Sequence, residues 1–301
     1  MEKYGKVDSK EIALDYAIRD YELKHLDKIG YGYEIPAMPS RLNYLSNDSW
    51  KSFLKEMSPI HKAQFLDGDG GELKEKKGRY GIYPPKMASF GSSSRFIYNL
   101  SKNIDNFCFE KALPTRVGHT ANLDGYLKKD IDIFVEAKCR EIYASHKKTK
   151  VNDVYKKVYE HIVRNSDFSY KSEPFDEEYS KYTFFYNDKC IIHFDIKQLI
   201  CHFLGICANI LENNANPKVR FIYLIFYPKE ETDFSNSKIE NDSKNIYKIY
   251  KDTISEIKCL GDMKWLFNAV MRYQCENLGK DYVDCDFTFS LADQTTYKSF
   301  F

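Results

Sequence analysis

The chain reads as an α/β protein, leaning to α+β, on three observations. Two adjoining segments alternate with period two. In 131–139 the apolar residues Ile131, Ile133, Val135 and Ala137 are separated by Asp132, Phe134, Glu136 and Lys138. In 121–127 Ala121, Leu123, Gly125 and Leu127 alternate with Asn122, Asp124 and Tyr126. Such alternation marks half-buried strands. Further on, Leu199, Phe203, Ile206, Cys207 and Ile210 recur at helical spacing within 195–211, and 218–227 (KVRFIYLIFY) is almost continuously apolar. The first pattern is a buried helix and the second a central strand covered on both faces.

The two alternating segments form a hairpin. A loop of three residues, Lys128 to Asp130, pairs Leu127 with Ile131, so odd residues face odd and even face even. A one-residue slip would bury the polar set. In this register Phe134 lies opposite Asp124 and Glu136 opposite Asn122, which makes Asp124 and Glu136 diagonal neighbours on one face, with Lys138 two residues along. Close carboxylates raise each other's pKa unless a cation neutralises them. Mg²⁺ commonly takes one or two carboxylates and keeps several waters. A lysine beside them can orient or deprotonate a metal-bound water, an assembly suited to phosphodiester hydrolysis. Spacing by itself fits equally an exposed hairpin face carrying ordinary charges.

The ordered series around these residues is more specific. Phe109-Glu110-Lys111, Leu113-Pro114-Thr115, Asn122-Leu123-Asp124, Val135-Glu136-Ala137-Lys138 and Glu141-Ile142-Tyr143 follow one another, preceded by Gly91-Ser92-Ser93-Ser94 with Tyr98-Asn99-Leu100. They are followed by Asp195, Gln198-Leu199 and His202-Phe203-Leu204-Gly205. From about Gly71 to Pro228 this resembles a family of bacterial restriction-endonuclease-like proteins in the PD-(D/E)xK nuclease superfamily, with Leu123 where a proline usually precedes the motif aspartate. The resemblance implies a restriction-endonuclease-like core, αβββαβ, with a central mixed sheet flanked by helices. It implies a metal-dependent endonuclease of restriction type acting on double-stranded DNA, with a homodimer suited to cutting both strands. Asp124, Glu136 and the carbonyl of Ala137 would hold Mg²⁺ or Mn²⁺. Lys138 would act on the attacking water, and Glu110 and Gln198 would complete the catalytic set. Glu72, Glu141, Asn99 and His202 fall near the motifs with roles left open. The other reading is a nuclease fold that binds nucleic acid or a partner protein without cutting.

Composition sets the frame. With 301 residues, 43% hydrophobic and 30% charged, the chain is globular. The net charge of +1 gives no general basic balance toward nucleic acid. Locally, however, seven basic residues (Lys138, Arg140, Lys147, Lys148, Lys150, Lys156 and Lys157) face two acidic ones, Glu141 and Asp153. The eight cysteines are irregularly spaced, contain no CxxC pair and read as reduced thiols. No apolar run reaches membrane-span length, and the first residues hold no secretory signal. Together these point to the cytoplasm, bacterial if the resemblance holds.

Three regions follow. Residues 1–90 read as mainly helix and loop, with helices over Ser9 to Lys28 and Trp50 to Met57, the latter capped by Asn47 or Ser49 and stopped by Pro59. Asp67 to Glu72 is a glycine-rich turn that lacks the ligand spacing of a calcium loop. Gly81 to Met87 is a connector. Residues 91–228 form the nuclease-like core, starting with a helix capped by a serine of 92–94 and a strand from Phe107 to Ala112. Within it, Thr149 to Arg164 reads as an amphipathic helix and Ser166 to Asp188 as a loop. Residues 229–301 read as a helical extension packed on the core. It holds a solvated excursion to Ile246, helices over Asn245 to Leu260 and Met263 to Leu278, and a last strand around Phe287, Phe289 and Leu291.

Overall fold

The computed structural model describes residues 44–301 apart from 69–71, 79–80, 140, 144, 165, 214–216 and 229–236; of the first 43 it describes 17, 18, 21, 33 and 34. Most of the helix expected over 9–28, and the centre of the glycine-rich turn, lie outside the described residues.

Two short strands, β1 (Tyr33–Glu34) and β2 (Tyr44–Leu45), pair with each other. Helix α1 (Asn47–Glu56) is capped by Ser46, whose side chain accepts from the Ser49 N–H, one residue ahead of the expected caps. Pro59 does not merely stop this helix. It is the first residue of α2 (Pro59–Asp67), capped by Ser58, because the first turn of a helix has no use for the N–H that proline lacks. The start of the connector, β4 (Gly81–Tyr83), pairs with β3 (Lys76–Gly78) just before it in a small hairpin. Helix α3 (Ser93–Ser101) starts as expected, with Ser92 Oγ accepting from the Arg95 N–H.

The centre of the molecule is a five-stranded mixed sheet. It comprises β5 (Cys108–Pro114), β6 (Thr120–Lys128) and β7 (Asp132–Lys138) in antiparallel succession. Before the sheet continues, 149–190 form a second layer: β8 (Thr149–Asn152), α4 (Lys156–Arg164), β9 (Phe168–Pro174), β10 (Tyr179–Tyr186) and β11 (Lys189–Cys190). Strand β10 pairs with β9 along its length and with β8 and β11 at its two ends. The expected helix over 149–164 is therefore shortened to 156–164, since Asn152 caps a 3₁₀ turn and ends the strand before it. The expected loop over 166–188 is a β-hairpin. Phe168, Tyr170, Tyr182, Phe184 and Tyr186 share one face, the first, third and fourth of them fully buried, and Phe185 on the other face interrupts the alternation.

Helix α5 (Ile196–Asn213) follows, and then β12 (Lys218–Ile225), parallel to β7 and buried on both faces as its composition implies. Helix α6 runs over Ser237–Cys259, longer than expected and replacing part of the solvated excursion, and α7 over Lys264–Leu278. Strand β13 (Asp286–Ala292) lies parallel beside β12, so the sheet order is β13-β12-β7-β6-β5. Residues 229–301 are thus not an extension resting on a finished core; they supply one strand of the central sheet.

Each face of the sheet carries its own core. On one, α5 and α7 pack through Phe203, Phe221, Phe267 and Phe287. On the other, α2 and α3 pack through Phe65, Tyr98 and Phe109. Burial of α5 on nearly every side explains its all-round apolar sequence. Among the described residues no helix is long and apolar enough to cross a membrane.

Candidate active site at the parting of two strands

Strands β6 and β7 are paired from Lys128↔Asp132 to Gly125↔Val135, with Leu127 opposite Ile133. This is two residues from the register expected, in which Leu127 met Ile131. An even shift keeps odd residues facing odd, so the apolar pattern cannot tell the two apart. It does change the site. Continued one step, the observed register sets Asp124 level with Glu136, where a diagonal was expected. Backbone pairing between the strands ends there. Strand β6 goes on with β5 to Thr120, and β7 goes on with β12 to Lys138. In the gap, the Ala137 N–H donates to Asp124 Oδ2 at 2.7 Å.

The parting comes with a change of face. Phe109, Leu127, Val135 and Ala137 belong to the α3 side of the sheet, whereas Leu113, Ala121 and Leu123 belong to the α5 side. A flat ribbon would keep all of them on one side. Between these sets sits Glu110, opposite Asp124, and the β5–β6 pairing skips it: Phe109↔Gly125 is followed by Lys111↔Leu123. Glu110 has φ +55°, the only positive φ inside a strand among the described residues. A left-handed backbone costs a side chain with a Cβ on the order of 1–2 kcal/mol, and such strain gathers at functional sites. The Ser94 hydroxyl donates to Glu110 Oε1 at 3.2 Å, and Gly68 lies against the Glu110 side chain so closely that a Cβ there would sit 3.0 Å from Glu110 Cβ.

Beside the gap, α5 closes on β7. The Gln198 amide is held in one orientation: Nε2 donates to Glu136 Oε1 at 2.8 Å, and Oε1 accepts from Lys138 Nζ at 2.6 Å. Lys138 Nζ also meets Glu136 Oε1 at 2.6 Å. Glu136 and Lys138 are buried, to 3% and 5% exposure, while Gln198 is partly exposed. One turn along α5, His202 points Nε2 at the other oxygen, Glu136 Oε2, from 3.6 Å. The helix is anchored by Asp195, whose Oδ1 accepts from the Gln198 N–H.

The electrostatics follow from this packing. Burial, then the charges of Glu136 and Glu110, push the Asp124 carboxyl well above the ordinary range, against the pull of Lys138 and the Ala137 N–H. For Lys138 burial alone would lower the pKa. Glu136, Glu141, Tyr223 and Asp124 outweigh it, so its pKa stands well above the ordinary value and the side chain is an ammonium. Burial also lowers His202, with Lys138 adding to the effect and Glu136 opposing it, so its ring is neutral at physiological pH.

The structure thus brings Asp124, Glu136, Lys138, Gln198 and Glu110 into one electrostatic neighbourhood. The backbone of Ala137 belongs there too. The Lys138 carbonyl accepts from Phe226 beside β12, and successive peptide groups of a strand point to opposite sides, so the Ala137 N–H and C=O face the gap where Asp124 lies. Glu141 stands at the margin, its Oε2 accepting from the Cys139 N–H. Asn99 is buried on α3. Glu72 is buried and ion-paired to Lys86 at 2.8 Å, and no contact ties it to the other acids. His202, whose role the sequence left open, faces Glu136 Oε2 at 3.6 Å. Two residues had no sequence signal. Ser94 belongs to a serine run readable only as a helix cap. Tyr223 is the cross-strand neighbour of Glu136 and sits in a continuous apolar strand.

Among the described residues no three His, Cys, Asp or Glu side chains surround one point closely enough to hold an ion by themselves. The paired acids nevertheless suit a hard divalent cation. Glu136 Oε2 is buried with no hydrogen-bond partner, and Asp124 is strained by two neighbouring carboxylates; a cation would relieve both. No family model matches the chain, and no curated protein or solved structure matches it.

Proposed function

We propose that this protein is a metal-dependent endonuclease of restriction type, hydrolysing phosphodiester bonds of double-stranded DNA on a restriction-endonuclease-like core. One observation carries the reading: two acids, an ammonium and a fixed amide converge where β6 and β7 part, with α3, β5 to β7, α5 and β12 in that order and 149–190 inserted before α5. Buried charge of this kind is a cost to folding unless chemistry uses it.

Asp124, Glu136 and the Ala137 carbonyl would hold Mg²⁺ or Mn²⁺. When bound, the ion supplies Lewis-acid polarisation of a phosphoryl oxygen and a more acidic water. The chain's own groups do the rest. Lys138, an ammonium, donates to the attacking water or to the phosphate and steadies the negative charge that grows as the water oxygen bonds to phosphorus and the leaving oxygen departs. Gln198 keeps Lys138 and Glu136 aligned with each other. Glu110 adds negative charge beside Asp124 and so strengthens the hold on a cation. A homodimer would set two such sites on the two strands.

The test uses purified protein, duplex DNA and Mg²⁺ or Mn²⁺. Cutting is expected, with loss of about a hundred- to a thousandfold in Asp124→Ala and Lys138→Ala and unchanged circular dichroism. Cutting that survives both substitutions overturns the mechanism. A second reading, a fold that binds nucleic acid without cutting, has one observation in its favour, the lack of three acids around a single point. Duplex binding without cleavage in either metal would support it.

A further inference from the structure

The two oxygens of Glu136 are treated unequally. Oε1 takes both Gln198 Nε2 and Lys138 Nζ. Oε2 is buried and has no hydrogen bond, and the polar group that faces it is the imidazole of His202, 3.6 Å away. Gln198 and His202 are four residues apart on α5, so one helix face presents both groups to one carboxylate. The ring is confined. It is 2% exposed, lies against Phe221 with centroids 6.1 Å apart, and belongs to a helix packed between the sheet and α7. A buried carboxylate oxygen left without a partner is costly, so the second oxygen is not at rest in this arrangement.

We propose that His202 is a positioning residue for Glu136: its ring fixes the rotation of the carboxylate so that Oε2 is presented to a divalent cation while Oε1 stays with Gln198 and Lys138. The inference rests on the reading of Asp124 and Glu136 as cation ligands. Without the ring, the carboxylate can rotate so that both oxygens share the Lys138 ammonium, and a cation must then break a better ion pair to bind. Groups that orient a ligand in this way change metal affinity by roughly 10–100-fold.

The experiment is binding of Mn²⁺ alone to the full chain, followed by electron paramagnetic resonance without DNA, for wild type, His202→Phe, His202→Gln and Glu136→Gln. Phenylalanine keeps a planar ring among aromatic neighbours but offers nothing to Oε2; glutamine restores a polar group. Binding is expected to weaken at least tenfold in His202→Phe and to recover in large part in His202→Gln. In the Glu136→Gln background His202→Phe should have no further effect, because the group it positions is gone. Cleavage should follow, with the Mg²⁺ requirement raised about tenfold and the rate at saturating Mg²⁺ little changed. Wild-type affinity in His202→Phe, or an equal loss with and without Glu136, overturns the proposal while leaving the nuclease reading intact. Wild-type protein that binds no Mn²⁺ overturns both. If His202→Phe does not fold, His202→Gln against His202→Ala makes the same comparison.

Discussion

At Asp124 the fold holds a carboxyl whose charge its surroundings disfavour. The carboxylate sits beside Glu136 and opposite Glu110, and its one backbone partner is the Ala137 N–H. An amide could accept the same hydrogen bond without the charge. Asp124→Asn should therefore raise the stability of the metal-free protein at neutral pH, where the wild-type carboxyl is held above its ordinary pKa by burial and by Glu136 and Glu110. Urea unfolding in the presence of a chelator measures it. Added Mg²⁺ should then stabilise the wild type and leave the variant unmoved. A variant no more stable than the wild type would mean that Asp124 does not feel the neighbouring acids as described. The same scale shows the limits of sequence reading. Asp124, Glu136 and Lys138 could be named from an ordered series of short motifs. The contact of His202 with Glu136 joins residues 66 positions apart, and the left-handed Glu110 has no mark in a sequence where glutamate is common.

At the scale of elements, the turn of the β5–β6 ribbon from one face of the sheet to the other depends on how closely α5 can approach. Gly205 makes that approach possible. A Cβ at this position would lie 2.9 Å from both Ala121 Cβ and Leu113 Cβ, and 3.1 Å from the Leu113 carbonyl oxygen. In an open helix interior Gly→Ala stabilises by about 1 kcal/mol. Here the clash should reverse the sign, and Gly205→Ala should destabilise by about 1–3 kcal/mol, with reduced cleavage because Gln198 rides on the same helix. Denaturant unfolding decides it; a stabilised variant would show that α5 does not bear on the ribbon so tightly. The helix itself was readable from its period, and its partner strands from alternation. The two-residue difference in the β6–β7 register was not readable, because alternation repeats every two residues and an even shift leaves every apolar residue facing the same way.

For the whole molecule, the decisive feature is that the last strand belongs to the central sheet. Strand β13 covers the open edge of β12, and Phe287 stacks on Phe267 with centroids 4.1 Å apart. A chain ending at residue 284 would leave an apolar strand with one edge bare, an invitation to aggregate. Such a truncation should be insoluble or lack a cooperative thermal transition. A soluble, cooperatively melting product would make 229–301 an accessory after all. The sequence pointed to a last strand after residue 228 but not to its place in the central sheet, for a definite reason. Strand β13 reaches its partner through two helices, and no local pattern names a partner that far away.

The sequence alone determined the mixed helix and strand character, the three candidate residues of the hairpin, the buried helix that carries Gln198, and the doubly covered strand after it. These follow from periodicity and residue type, which act over a few positions. The tertiary structure alone decided that the hairpin strands part at Asp124, that His202 faces Glu136, that 149–190 fold as a second sheet, and that the chain's end completes the first. The contact of His202 and the placing of the last strand join distant segments; the parting at Asp124 and the sheet of 149–190 are closer in sequence, but register and packing set them rather than residue type.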